Sequence, residues 1–111
     1  YRSYLYSADL VVWLLTILFS KSGPSVVNVG SDQTISIAEL AKAVHKEALL
    51  ILPERKNLKN PIQVAKSPDP GAKPARYVPN TQLARDAYGL SAWTSLDEAL
   101  GRTIRWHLGK L

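Results

Sequence analysis

The stretch Leu10-Val11-Val12-Trp13-Leu14-Leu15-Thr16-Ile17-Leu18-Phe19 decides how this chain folds. It carries no charge, and a helix built from it is apolar on every side, so it must be buried on every side. Ser7 stands ready to cap that helix, which is expected to run through Asp9 to about Ser20. Asp9 in the first turn suits the positive end of the helix dipole. Ser22-Gly23-Pro24 ends it. The run is too short to cross a bilayer, which takes about 20 residues, so a buried helix is the reading. One small domain has difficulty covering such a helix. A partner surface is therefore expected, and the isolated chain is expected to hide Leu10–Phe19 by self-association.

Working outward, Val26-Val27-Asn28-Val29 reads as a short strand closed by Gly30-Ser31-Asp32. Ser36 and Glu39 have the spacing of a capping box. Behind them Ile37, Leu40, Ala41, Val44 and Ala48 recur at helical spacing and mark a buried face, with His45 beside it as a packed or surface histidine. That helix ends over Leu49–Pro53, and Glu54–Asn60 is a charged connector. Pro61–Ala65 alternates weakly, as a second strand would. From Ser67 to Pro79 the residues Pro68, Pro70, Gly71, Pro74 and Pro79 break regular structure, with Tyr77-Val78 as a brief extended pairing. Asn80 caps a short helix through Tyr88, stopped by Gly89. Ser95 and Glu98 form a second capping box, and Leu96, Ala99, Leu100, Thr103, Ile104 and His107 form the buried face of the last helix. Trp93 and Trp106 are expected in core or hinge packing. The fold class is α/β, mostly helical with a few short strands, too few for a complete sheet.

Composition bounds the chemistry. The chain has 111 residues, 46% of them hydrophobic and 21% charged, which is ordinary globular usage and excludes wholesale disorder. With no cysteine, there is no disulfide scaffold, no thiolate metal site and no thiol catalysis, and a reducing, cytoplasmic setting fits. Two histidines at unrelated positions and scattered carboxylates make no metal site. No methionine occurs and the chain opens Tyr1-Arg2-Ser3-Tyr4-Leu5-Tyr6, so a fragment or processed piece of something longer is expected. The start lacks the pattern of a signal peptide.

No catalytic constellation is visible. The chain has no glycine-rich dinucleotide fingerprint, no P-loop, no Tyr-x-x-x-Lys pair and no G-x-S-x-G elbow. What remains is anion binding. The net charge is +5, and between Glu54 and Arg76 the cations Arg55, Lys56, Lys59, Lys66, Lys73 and Arg76 face only Glu54 and Asp69. Such a stretch attracts phosphate or is simply a solvated basic loop. Arg2, just before the first helix, offers a planar fork of donors that matches two phosphate oxygens. Arg76, Lys73 and Lys66 lie on the proline-rich loop, where ligand contacts are often carried. The chemical alternative is a small basic module that binds nucleic acid or a protein partner. Against it, the basic residues do not follow one helix face and no groove-reading motif is present.

Four pieces of the chain carry a resemblance. Arg2-Ser3-Tyr4-Leu5-Tyr6-Ser7-Ala8-Asp9-Leu10 resembles the R-D-[aromatic]-[aliphatic]-[Tyr/His]-x-x-D-[aliphatic] segment of extended short-chain dehydrogenases/reductases, the NAD-dependent nucleotide-sugar epimerases and dehydratases. Val27-Asn28-Val29-Gly30-Ser31 with Ile35–Leu40 is similar to that family's Y-N-[aliphatic]-G segment and following helix. Asp69-Pro70-Gly71, then Arg76-Tyr77 and Asn80, resembles the R-P-G…Y-x-x-D loop. Gly89-Leu90 and Thr94–Leu100 are similar to the closing L-G-W…S-L-E-E-G segment. The pieces occur in the family's order over nearly the whole chain.

The resemblance implies that residues 1–111 are the C-terminal nucleotide-sugar-binding lobe of such an enzyme, without its N-terminal NAD-binding Rossmann domain. It implies NAD as cofactor of the parent, none bound by this chain, and no catalysis by this chain alone. It implies substrate-binding roles for Arg2 and, from the proline-rich loop, for Arg76 or Lys73. No membrane or nucleic-acid partner follows from it. Three positions depart from the family pattern. Asp69 replaces the arginine of R-P-G, putting a negative charge where a positive one is expected. Ser3 replaces the aspartate of the first motif, and Asn80 replaces that of the later one.

Overall fold

The computed structural model describes residues 1–55, 57, 62–65 and 69–109. Its helices are α1 (Ser7–Phe19), α2 (Ile37–Ile51), α3 (Gln82–Tyr88) and α4 (Leu96–His107), with one 3-10 turn at Pro53–Arg55. Helix α1 begins at Ser7 itself, the residue expected to cap it. Tyr6 is the extended N-cap residue and supplies no side-chain bond, while Ser7 is already helical. Ser7 and Ala8 are exposed, so water can satisfy the first amides without a capping oxygen.

Helix α2 starts as its sequence dictates. The Ser36 hydroxyl accepts from the Glu39 amide at 3.2 Å and the Glu39 carboxylate accepts from the Ser36 amide at 2.9 Å, a complete capping box. At α4 the Ser95 hydroxyl accepts from the Glu98 amide at 3.3 Å, but the Glu98 carboxylate pairs forward with Arg102 at 2.6 Å. Asn80 also caps, one residue before the formal N-cap Thr81, its Oδ1 accepting from the Gln82 amide at 2.9 Å. Gly89 ends α3 in the left-handed conformation.

Two packing units result. Trp13, Ala84 and Leu90 form the fully buried centre, flanked by Leu5, Ile17, Val27 and Tyr88. The Trp13 indole N–H donates to the Ser91 carbonyl at 2.9 Å. Asp9 is buried, and its two carboxylate oxygens accept from the Thr94 amide at 2.8 Å and the Thr94 hydroxyl at 2.9 Å. This acid, expected only to complement the helix dipole, fastens α1 to the segment before α4. The second unit is α2 packed on α4. Lys46 reaches Asp97 at 3.0 Å across it, and the pair holds the Lys46 ammonium above its ordinary range through that hydrogen bond first and Coulomb attraction second.

Several expectations fail on burial. Helix α1 is not covered all round: Val11, Val12, Leu14, Leu15, Leu18 and Phe19 are exposed. Trp93 and Trp106 are exposed, not core. On the predicted buried faces Ile37, Val44, Thr103 and His107 are also exposed, although among the described residues α2 packs on α4 and on the 3-10 turn. The strands are absent from the described residues. Val26–Val29 and residues 62–65 are irregular, and the sole β pairings are the isolated bridges of Arg2 with Ile35 and with Tyr77. A strand needs a neighbour for its amides and carbonyls, and Val26–Val29 finds none. The architecture is therefore mostly helical, not α/β.

The principal dimensions are 54 × 44 × 15 Å.

Candidate functional site

Arg2 sits at the meeting point of three segments. Its amide donates to the Ile35 carbonyl at 3.0 Å and its carbonyl accepts from the Ile35 amide at 2.9 Å. On the other side the Tyr77 amide donates to the Tyr1 carbonyl at 3.0 Å, and the Tyr1 nitrogen donates to the Ala75 carbonyl. The extended pairing expected at Tyr77-Val78 is thus present as a single bridge, and its partner is Arg2. These backbone bonds hold the described part of the proline-rich loop against the N-terminal segment.

A cleft of about 340 Å³ opens beside this junction, lined by Arg2, Ser3, Leu5, Leu10, Asn28, Val29, Gly30, Tyr77 and Pro79. Its wall depends on close backbone approach. A Cβ on Gly30 would lie 2.7 Å from Pro79 Cγ, nearer than any side chain allows, so only glycine lets Pro79 lie against the Val26–Gly30 segment. The Asn28 side-chain amide donates to the Asn80 carbonyl at 3.0 Å and ties the same two segments. Behind the wall Asp32 pairs with Arg85 at 2.6 Å, joining the loop after Gly30 to α3.

The Arg2 guanidinium is exposed and donates one N–H to the Tyr1 carbonyl at 3.0 Å. Among the described residues it has no carboxylate partner. A guanidinium carries five donors, and Arg2 as a residue lines the cleft. The side chain is exposed and the peptide that carries it is bonded on both sides.

Arg76 and Lys73 are exposed and do not line this cleft. Arg76 is tied through its neighbours Ala75 and Tyr77 to Tyr1, so its peptide is brought beside Arg2 while its side chain makes no recorded contact there. Lys73 precedes Pro74, which with Ala75 lines a second, more open cleft that also touches Arg2. Lys56, Lys59 and Lys66 lie outside the described residues, as does Pro61 of the expected second strand. Asp69 is exposed and has no ion-pair partner among the described residues.

Two lining residues were not singled out from sequence as site residues, Tyr77 and Asn28. The signal for both was their membership in the segments that resemble the family. Among the described residues no group of three or more His, Asp or Glu could hold a metal ion. No described helix is long and apolar enough to cross a membrane. The chain matches no family model, no curated protein and no solved structure.

Proposed function

We propose that this chain is the nucleotide-sugar-binding lobe of an NAD-dependent epimerase or dehydratase of the extended short-chain dehydrogenase/reductase type, with Arg2 anchoring the diphosphate. One observation carries the reading. Three of the four segments that resemble the family are far apart in sequence, yet Arg2, Asn28, Gly30 and Tyr77 from those segments line one cleft. Arg2 there presents an unpaired guanidinium. In this role Arg2 grips two phosphate oxygens, the Tyr77 ring offers a flat contact for a base or sugar, and the bound donor is oriented toward a second domain.

The residues present do not fit NAD. The segment leading into α2 has no glycine-rich turn, and the N-terminal amides of that helix are engaged by its own capping box. The dinucleotide belongs to a Rossmann domain encoded upstream, which would supply hydride chemistry, and no step of that chemistry is assigned to this chain. A basic nucleic-acid module finds less support. Lys46, Arg85 and Arg102 are engaged by Asp97, Asp32 and Glu98, and Arg55, Lys73 and Arg76 sit outside the α-helices.

The test is calorimetric titration of the chain with dTDP-glucose and UDP-glucose. Losing charge-assisted bonds of about 1.5–3 kcal/mol, Arg2→Ala should weaken binding roughly 10–100-fold. Arg2→Lys should fall between, and Arg55→Ala should be unchanged. Equal losses for Arg2→Ala and Arg55→Ala, or no binding of either compound by the parent chain, overturn the reading. So does an upstream coding sequence without a glycine-rich strand–helix turn and a Tyr-x-x-x-Lys.

A further inference from the structure

We infer that the cleft between the Ser31–Ile35 loop, the start of α2 and the segment before α4 is a small-molecule site that selects a hydroxylated primary amine. The cleft has a volume of about 330 Å³, and six polar residues line it: Tyr4, Ser31, Gln33, Thr34, Glu39 and Thr94. That volume is at the lower end of the range for small-ligand sites. It shares no lining residue with the Arg2 cleft, so the inference is independent of the nucleotide-sugar reading.

Charge and hydrogen-bond sense select the ligand. Glu39 is the one charged residue of this lining. Its Oε2 accepts from the Ser36 amide at 2.9 Å, and among the described residues no lysine or arginine forms an ion pair with it. An anion so placed favours a cation, and an ammonium brings three donors. The Thr94 hydroxyl donates to Asp9 at 2.9 Å, so toward a ligand it can only accept. The Ser31 hydroxyl accepts from the Gln33 amide at 3.1 Å and keeps its own hydrogen to donate. Groups of both senses beside one carboxylate match a molecule that carries hydroxyls as well as an amine. Tyr4, with Ile35 and Leu96, adds apolar surface for the carbon face of such a molecule. The frame is held without a ligand: Ile35 is bonded to Arg2, Asp32 to Arg85 and Thr94 to Asp9. A frame already fixed lowers the ordering cost of binding.

Chemical-shift titration of the isotope-labelled chain tests it with glucosamine, glucose and methylamine. Glucosamine and glucose differ by an ammonium in place of one hydroxyl, and methylamine keeps the ammonium without hydroxyls. Glucosamine should move the amides of residues 31–35 and of Thr94, and the other two should bind roughly fivefold more weakly or less, the scale of one exposed charge pair. Glu39→Gln removes the charge and keeps the α2 cap, since glutamine also accepts from the N-cap amide. It should weaken glucosamine roughly fivefold and leave glucose unchanged. Glu54→Gln removes the same charge from the 3-10 turn, outside the cleft, and should leave both unchanged. Thr34→Val, at an exposed position, should weaken both sugars. No movement of the cleft amides up to roughly 100 mM glucosamine overturns the inference. So does glucose or methylamine binding as tightly as glucosamine, or glucosamine binding that Glu39→Gln leaves unchanged.

Discussion

Asp9 fastens α1 to the segment before α4, and its removal gives a graded experiment. The carboxylate is 7% exposed and takes both polar hydrogens of Thr94, the amide at 2.8 Å and the hydroxyl at 2.9 Å. Asp9→Ala removes two charge-assisted bonds of about 1.5–3 kcal/mol each and strands a partly buried amide, so a loss of about 3–6 kcal/mol is expected. That is a large share of the roughly 5–15 kcal/mol that stabilises a typical small domain. Asp9→Asn keeps both contacts. Its carbonyl still accepts from the amide and its NH₂ donates to the hydroxyl, which can also accept. Neutral bonds are about half as strong as charge-assisted ones, so a loss of roughly 1–2 kcal/mol follows. Thr94→Val deletes the hydroxyl bond alone and leaves the amide bond, at about 1–2 kcal/mol.

Urea unfolding at neutral pH reads these differences. Trp13 is buried while Trp93 and Trp106 are exposed, so the shift in emission on unfolding reports chiefly on the unit that Asp9 fastens. With slopes of about 1–3 kcal/mol per molar urea, Asp9→Ala should lower the midpoint by a molar or more, and Asp9→Asn by roughly half as much. Should Asp9→Ala leave no folded baseline, the Asn and Val variants still decide the matter. A cost below about 0.5 kcal/mol for Asp9→Ala, the range of an ordinary surface change, would refute the argument. So would Asp9→Asn costing as much as Asp9→Ala.

Two further outcomes can be measured on the same chain. Ser36→Ala removes the α2 cap and should cost about 1 kcal/mol by urea titration. In the parent chain the Ser36 hydroxyl and then its amide hold the Glu39 carboxyl below its ordinary 4.5. That contribution is therefore fully present above 4.5 and is lost as the pH falls through the lower folded value, and Ser36→Ala should flatten this acid-side dependence. Gly30→Ala meets Pro79 Cγ at 2.7 Å and should push the 30–79 contact apart, destabilising by about 1–3 kcal/mol and lowering dTDP-glucose affinity. Unchanged stability there would mean that the cleft wall yields freely.

Helix placement was legible in the residues because its signals are local. The Ser36/Glu39 box, Asn80 before Gln82 and Gly89 after Tyr88 each act within one turn, and all three operate as read. Burial was not legible, because it depends on neighbours. The apolar residues of α1 specify a helix that wants cover on all sides, but the rest of the chain supplies cover for one side only. Val26–Val29 has the composition of a strand and finds no strand to pair with. Asp9 shows the same limit at a single residue, since its position in the first turn explains a preference for an acid but not which segment the acid holds. The site was legible only as far as chemistry is visible in residue type. Arg2 stood out as a phosphate ligand, whereas the backbone ladder that fixes it to Ile35 and Tyr77 uses groups every residue possesses.

Under the proposed function Asp69 stands where an arginine is expected, and the loop around it is a tight turn. The Asp69 carbonyl accepts from the Ala72 amide at 3.1 Å, with Pro70 and Gly71 between them and Gly71 at φ 80°. That is a type II turn, which needs proline and glycine at its centre and makes no demand on the side chain before them. The turn therefore forms with aspartate or arginine alike at position 69, and shape and charge separate at this position. The consequence for the cleft is electrostatic. Of the residues that line it, Arg2 alone is charged, while a diphosphate carries about two negative charges near neutrality. One guanidinium supplies about 1.5–3 kcal/mol through each charge-assisted bond, short of the roughly 8 kcal/mol that micromolar affinity represents. Under the proposed function, Arg2 fixes where the diphosphate sits, and most of the affinity has to come from contacts to base and sugar.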